Sequence, residues 1–299
     1  MLSLLATVPL ARAAELPAPI ARAFIANRVP VSGVSIYIES LADGAPILAH
    51  LADVPRNPAS AMKLLPTLAA LETLGPAYTW KTQAYSAAPL KNGRLEGDLF
   101  LKGYGDPYLV TENFWGLLQG LRRAGVKEIA GDLVLDLSYL KPNPSDESFD
   151  GEDLRAYNAH PSALLLNFQS VKLRFVPGAR ALNVYPEPAS YHLRVDNRVR
   201  LVKGPCRGWS RNLQLKVVEG ADGDVVRLGG RYPSACGERE MFRVVSKLPR
   251  YVHGVFKAAW EEQGGRFLGE VREAVLPENA RLLYQVESRP LAEIVRSIN

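Results

Sequence analysis

The sequence predicts a mixed α/β protein with an added β-rich part, in which helix-bearing segments near either end enclose a long middle of short strands. Three observations carry that reading. Leu64, Leu65, Leu68, Leu71 and Leu74 recur at helical spacing. Beyond Gly75-Pro76 the pattern changes to short strands separated by turns, and residues 138–245 keep it almost throughout. Helical periodicity then returns at 251–264 and stops at Gly264-Gly265.

In chain order, residues 17–28 read as a helix, and Gly33 to Ser40 as a strand that points Val34, Ile36 and Ile38 inward. Asp43-Gly44 is a hairpin turn into 45–51. The leucine-rich helix follows, and Gly75-Pro76 ends it. Lys91-Asn92-Gly93-Arg94 is a second turn between strands. Residues 111–124 form a helix and 129–137 a strand, so 94–137 reads as a small α/β module. A Pro/Ser/Asp-rich loop occupies 141–152, a strand 281–286, and a last helix starts at Pro290. There are no internal repeats.

Composition narrows the function classes. An apolar fraction of 47% over 299 residues supports buried cores. The net charge of +5 is spread along the chain with no basic run or aromatic-interleaved stripe, which argues against nucleic-acid binding. Met1 to Leu10 is a short apolar run, and Ala11-Arg12-Ala13 fits a small-x-small cleavage site. These residues predict a signal peptide over 1–14, cut near Ala13 or Ala14, and export to the periplasm. The positive residues expected before such a run are missing, and an apolar helix packed on the protein is the competing reading. The run is too short to span a bilayer, and no other segment predicts a transmembrane span. Cys206 and Cys236 are the only cysteines. In an exported chain an even count predicts a disulfide, with two free buried thiols as the alternative. Four scattered histidines and two distant cysteines have no zinc spacing, so no metal is expected.

The chemistry concentrates in Asn57-Pro58-Ala59-Ser60-Ala61-Met62-Lys63, at the start of the leucine-rich helix. Ser60 and Lys63 are three residues apart, just under one helical turn, so hydroxyl and amine share a face. This is the nucleophile-and-base arrangement of the S-x-x-K enzymes. Serine is also a preferred helix N-cap residue, and on these residues alone both readings stand. A second match, Ser138-Tyr139-Leu140-Lys141, runs into Pro142-Asn143-Pro144 and cannot open a helix; it reads as a strand end entering a loop. None of the four histidines sits in a setting such as G-x-S-x-G, so a Ser-His-Asp triad has no support. Asp106 before Pro107 reads as a turn former, and Trp80, Trp115, Trp209 and Trp260 as packing residues.

An ordered series of short motifs accompanies Ser60. The run P-A-S-A-M-K-L-L-P-T-L-A-A-L-E-T-L-G-P-A-Y-T-W-K-T is followed by Gly97-Asp98-Leu99 and Gly103-Tyr104-Gly105-Asp106-Pro107. Gly131-Asp132-Leu133-Val134-Leu135-Asp136 and Tyr157-Asn158-Ala159 come next, then Asn167-Phe168, Cys206 with Trp209, Tyr232-Pro233 with Cys236-Gly237, and Ser288-Arg289-Pro290-Leu291. In this order they resemble the D-alanyl-D-alanine carboxypeptidase/endopeptidase family, the low-molecular-mass class C penicillin-binding proteins. The resemblance covers nearly all of the chain after residue 20.

That resemblance implies part of a penicillin-binding-protein/β-lactamase-like transpeptidase domain interrupted by nested insertions, one mostly β and one small α/β. The implied division is 15–75 transpeptidase-like, 76–93 and 138–245 inserted domain II, 94–137 inserted domain III, and 246–299 the transpeptidase return. It implies a serine peptidase that acts on peptidoglycan stem peptides and is acylated by β-lactams, with Ser60 as nucleophile and Lys63 as base, and with no cofactor. Lys63 serves only when neutral, which burial and the positive end of a helix favour. Asp136 is a candidate to read a cationic amine on the stem peptide; a solvated strand-end carboxylate is the competing reading. The family's Lys-Thr-Gly strand motif is absent, and Ser297-Ile298-Asn299 is a literal Ser-x-Asn that the resemblance places on a helix too early for the true motif. The implied expectation is a chain that stops before both motifs and is inactive by itself. The alternative is a non-catalytic protein that binds peptidoglycan or a partner.

Overall fold

The computed structural model describes residues 16–140 and 151–299. They divide into two compact units, one ending at Leu68 and the other Ala69–Asn299. The expected signal peptide and most of the 141–152 loop lie outside the described residues.

The first unit holds helix α1 (Ala18–Ala26) and an antiparallel hairpin of β1 (Ile36–Glu39) and β2 (Pro46–His50). The turn between the strands contains Gly44 at φ +69°, a left-handed position that glycine accepts without strain. Leu48 is buried there, whereas Ile38 is 45% exposed, so the expected inward row is only partly covered. Helix α2 (Leu64–Leu74) contains the boundary between the units and ends at Gly75, whose φ is +82° and whose N–H donates to Leu71 O.

The second unit begins with β3 (Lys81–Ser86), β4 (Leu90–Lys91), β5 (Arg94–Leu95) and β6 (Leu99–Gly103). Helix α3 (Thr111–Arg123), β7 (Glu128–Ile129) and β8 (Leu133–Asp136) follow. The β-rich stretch supplies β9 (Val171–Pro177), β10 (Leu182–Glu187), β11 (Leu193–Asn197), β12 (Arg200–Val202), β13 (Leu213–Gly220), β14 (Gly223–Pro233) and β15 (Arg239–Arg243). Helix α4 (Leu248–Glu262), β16 (Arg266–Phe267), β17 (Val271–Glu273), β18 (Arg281–Glu287) and helix α5 (Leu291–Ile298) complete it.

A five-stranded sheet in the order β17-β8-β6-β3-β18 organises this unit. Its central strands are buried along their length: Leu99, Phe100 and Leu101 on β6, and all of β8. β6 and β8 run parallel, and the crossover between them contains α3. Phe114, Leu117, Leu118 and Leu121 form the buried face of α3 at helical spacing. Gly120 lies against the Tyr284 ring of β18, where a Cβ would collide with it. Helix α4 buries Val252, Val255, Phe256 and Trp260, and Phe256 meets Phe114 of α3 edge-on at 6.5 Å.

Strand pairing crosses the expected module boundaries. β6 and β8, expected in a module over 94–137, pair with β3 on one side and with β17 on the other. Boundaries at 93/94, 137/138 and 245/246 therefore separate residues that share one sheet. The reason is that a buried strand needs two neighbours, and the nearest in sequence are not always those that complete the sheet. Between β8 and α4, the β-rich stretch forms two further sheets, β10-β9-β15 and β11-β14-β12 with β13 on β14. The strand expected over 129–137 is two strands, β7 and β8, broken where Gly131 approaches the Gly97-Asp98 backbone too closely for a side chain.

Candidate active site

Ser60 and Lys63 occupy a 3-10 turn, Ala59–Lys63, that leads directly into α2. Three residues per turn places positions i and i+3 above one another, so the shared face expected from an α-helix is kept in this tighter geometry. The turn is prepared upstream. Arg56 donates to Ser35 Oγ and Ser32 O, each at 2.8 Å, and Asn57 Oδ1 accepts from the Ala59 N–H at 2.9 Å. Ala59 is held at φ +46°, a left-handed conformation that is uncommon for a residue with a Cβ. Ser60 is exposed and Lys63 partly buried, and among the described residues no hydrogen bond joins them. Leu64, Leu65 and Leu68 are 56–67% exposed.

Ser138 lies in a turn after β8 and gives its hydroxyl hydrogen to Asp136 Oδ1 at 2.6 Å, so it is committed to a carboxylate. Lys141 of the same motif lies outside the described residues. Ser297 is in α5 and donates to Glu293 O, one turn back.

Asp136 is not a solvated strand end. It is fully buried, and its carboxylate accepts from Ser138 Oγ, the Ser138 N–H and the Leu276 N–H, with Lys102 Nζ at 3.0 Å. Burial pushes its pKa up, but these donors together outweigh burial and hold it at about 2. Lys102 stands directly opposite on β6 in the parallel register. The carboxylate thus already has a cation and three other donors.

Cys206 and Cys236 form a disulfide with Cα atoms 4.7 Å apart. Phe175, Trp209 and Tyr232 pack beside it, Phe175 and Tyr232 stacked at 5.9 Å. Asp106 caps its turn by accepting from the Tyr108 N–H at 2.8 Å. Trp260 is fully buried, whereas Trp115, expected to pack, is 49% exposed on α3.

Several polar pairs have no sequence signal because their partners are far apart in the chain. His192 Nε2 lies 2.6 Å from His253 Nδ1, and His253 Nε2 is 3.1 Å from Gly269 O. A carbonyl only accepts, which makes His253 Nε2 the donor, so its Nδ1 accepts from His192. Burial lowers the His253 pKa. Asp224, almost fully buried, pairs with Arg250 at 2.7 Å. Among the described residues no group of His, Cys, Asp and Glu is placed to hold a metal ion, and no helix is long and apolar enough to cross a membrane.

Ser60 and Lys63, in a turn ahead of a helix within a mixed α/β chain of several sheets, have the spacing of the S-x-x-K serine enzymes. The chain belongs to the D-Ala-D-Ala carboxypeptidase 3 (S13) family, whose model matches residues 17–299. It is 28% identical over 249 residues to a D-alanyl-D-alanine carboxypeptidase of Actinomadura sp. (strain R39), covering 80% of this chain and 46% of that protein. It is 25% identical over 252 residues to D-alanyl-D-alanine carboxypeptidase DacB of Haemophilus influenzae, covering 80% and 50%. The chain thus spans about half the length of the curated relatives it matches. The fold is that of penicillin binding protein 4 (dacB) from Haemophilus influenzae, with a TM-score of 0.68 at 22% identity, over 87% of this chain and 57% of that one. A second structure of that protein, complexed with a β-lactam, gives a TM-score of 0.62 at 21% identity, over 87% of this chain and 55% of that one.

Proposed function

We propose that this chain carries the nucleophile-bearing portion of a periplasmic serine D-Ala-D-Ala carboxypeptidase/endopeptidase that acts on peptidoglycan stem peptides. The observation that carries the reading is the Ser60–Lys63 turn, which lies inside the stretch matched by the family. Lys63, as base, takes the Ser60 proton as Oγ attacks the carbonyl between two D-alanines. The new bond is an ester to Oγ; the C–N bond breaks, and the proton passes from Lys63 to the leaving D-alanine amine. Water then hydrolyses the ester and frees Ser60. A β-lactam follows the same first step, because its strained amide presents the same carbonyl to Oγ. The Ser60 backbone N–H is one candidate oxyanion donor. The Cys206–Cys236 disulfide fits an oxidising compartment.

Fluorescent penicillin tests the reading. The 299 residues include no Lys-Thr-Gly, so labelling is expected to be weak in this chain and strong in a form extended by the family's Lys-Thr-Gly portion. In the extended form Ser60→Ala abolishes labelling and Ser138→Ala retains it; the reverse pattern sinks the assignment. Strong labelling of the 299-residue chain makes Ser297 and Asn299 the next residues to mutate. An extended chain that never labels, yet binds stem peptide, favours the non-catalytic reading.

A further inference from the structure

A cavity of about 590 Å³ opens in the second unit between the loop ahead of α3, the β10-β9-β15 sheet and the residues ahead of α5. That volume lies in the range of small-molecule and peptide sites. Tyr108, Lys172, Glu187, Glu240, Phe242 and Arg289 define its character. The two cations differ. Lys172 Nζ is 2.7 Å from Glu187 and 3.4 Å from Glu240, so its charge is answered twice from within the sheet. Arg289 is exposed and lies over Tyr108, its guanidinium carbon 4.9 Å from the ring centroid. Among the described residues no carboxylate lies within ion-pair distance of it.

A guanidinium held over an aromatic ring has fewer rotamers left to lose, and its planar N–H fork matches a carboxylate. Glu112, in the first turn of α3, is an exposed carboxylate on the same cavity and likewise has no cation among the described residues. Tyr108 and the half-exposed Phe242 add apolar surface. Glu187 and Glu240 disfavour a ligand with surplus negative charge.

We propose that this cavity is a second, non-catalytic site for a short peptide with one free carboxylate, held by Arg289, and one amine, held near Glu112. The identity of the occupant as a neighbouring stem peptide rests on the peptidoglycan reading above. The probe is N-acetyl-L-alanyl-D-isoglutaminyl-L-lysine, which carries one carboxylate and one amine. It lacks D-Ala-D-Ala and cannot acylate Ser60. Titration calorimetry compares it with its C-terminal amide on the 299-residue chain. The amide is expected to bind about tenfold more weakly to the wild type, the size of one charge-assisted pair. That penalty is expected to vanish in Arg289→Ala and to persist in part in Arg289→Lys. If Arg289→Ala does not fold, Arg289→Lys and Tyr108→Leu carry the comparison. No binding of the free acid at millimolar concentration overturns the proposal, as does an equal amide penalty in wild type and Arg289→Ala. A chain that binds the tripeptide but whose extended form never labels at Ser60 refutes the catalytic reading and leaves this site standing. The opposite result removes this site alone.

Discussion

The two units differ most in what they bury. Within the first, Leu48 is the buried hydrophobic residue among those described, while Ile25, Leu41, Ile47, Met62, Leu64 and Leu65 are all more than half exposed. The second contains the cluster that runs from Ala84 to Phe267, through the five-stranded sheet, α3, α4 and the β-rich sheets. The Ser60–Lys63 turn, proposed above as nucleophile and base, thus sits in the unit with little interior of its own. Stability and reactivity are therefore separable by position. Under the proposed function, a substitution in the second unit is felt as unfolding, and one on the Ser60 turn as lost chemistry.

The sharpest way to break that comparison is a pair of truncations in the two units. Trp260→Ala, which empties a fully buried site stacked on Phe256, is expected to destabilise by about 3–5 kcal/mol. Leu65→Ala, at 67% exposure, is expected to change stability by less than about 0.5 kcal/mol. Urea unfolding followed by tryptophan fluorescence measures both, and equal losses would erase the distinction. Reduction of Cys206–Cys236 comes next. Releasing a loop of 30 residues is expected to lower stability by about 3 kcal/mol. Thermal melts with and without reductant test this, and a loss confined to the first unit would contradict the assignment of the disulfide to the second unit.

Asp136 comes last, with an effect below that of the disulfide. Its pKa is about 2 in the fold against an ordinary 3.8, so its carboxylate stabilises the fold fully above pH 4 and progressively less as pH falls toward 2. The contribution at neutral pH is about 2 kcal/mol. Asp136→Asn should remove it and flatten the dependence of stability on pH between 5 and 2.5. An unchanged slope would mean that the Lys102 pair and the three hydrogen bonds contribute nothing.

Local chemistry was legible in the sequence wherever it was self-contained. Asn92-Gly93 reads as a hairpin because both residues accept positive φ, and they stand at +50° and +85°. The leucines of α2 announce a helix, and Gly75 its end. Partnership was not legible. Asp136 looks like a surface carboxylate because Lys102 meets it only through the β6–β8 register, and Leu276 lies far along the chain. The inserted modules look separable because each has its own apolar pattern, yet two of them share a sheet. For the site, spacing marks Ser60 and Lys63 as a candidate pair, but the exposure of the helix behind them depends on what packs there, which no spacing encodes.

The order β17-β8-β6-β3-β18 has a consequence for how the chain is made. Its inner strands β3, β6 and β8 are complete by Asp136, but both outer strands follow Glu270. During synthesis the three inner strands wait with both hydrogen-bonding edges open while the whole β-rich stretch emerges. Such edges invite pairing with other chains, and closing them over so long a separation is slow. In a nascent chain of this topology the sheet stays unfinished until β17 and β18 leave the ribosome.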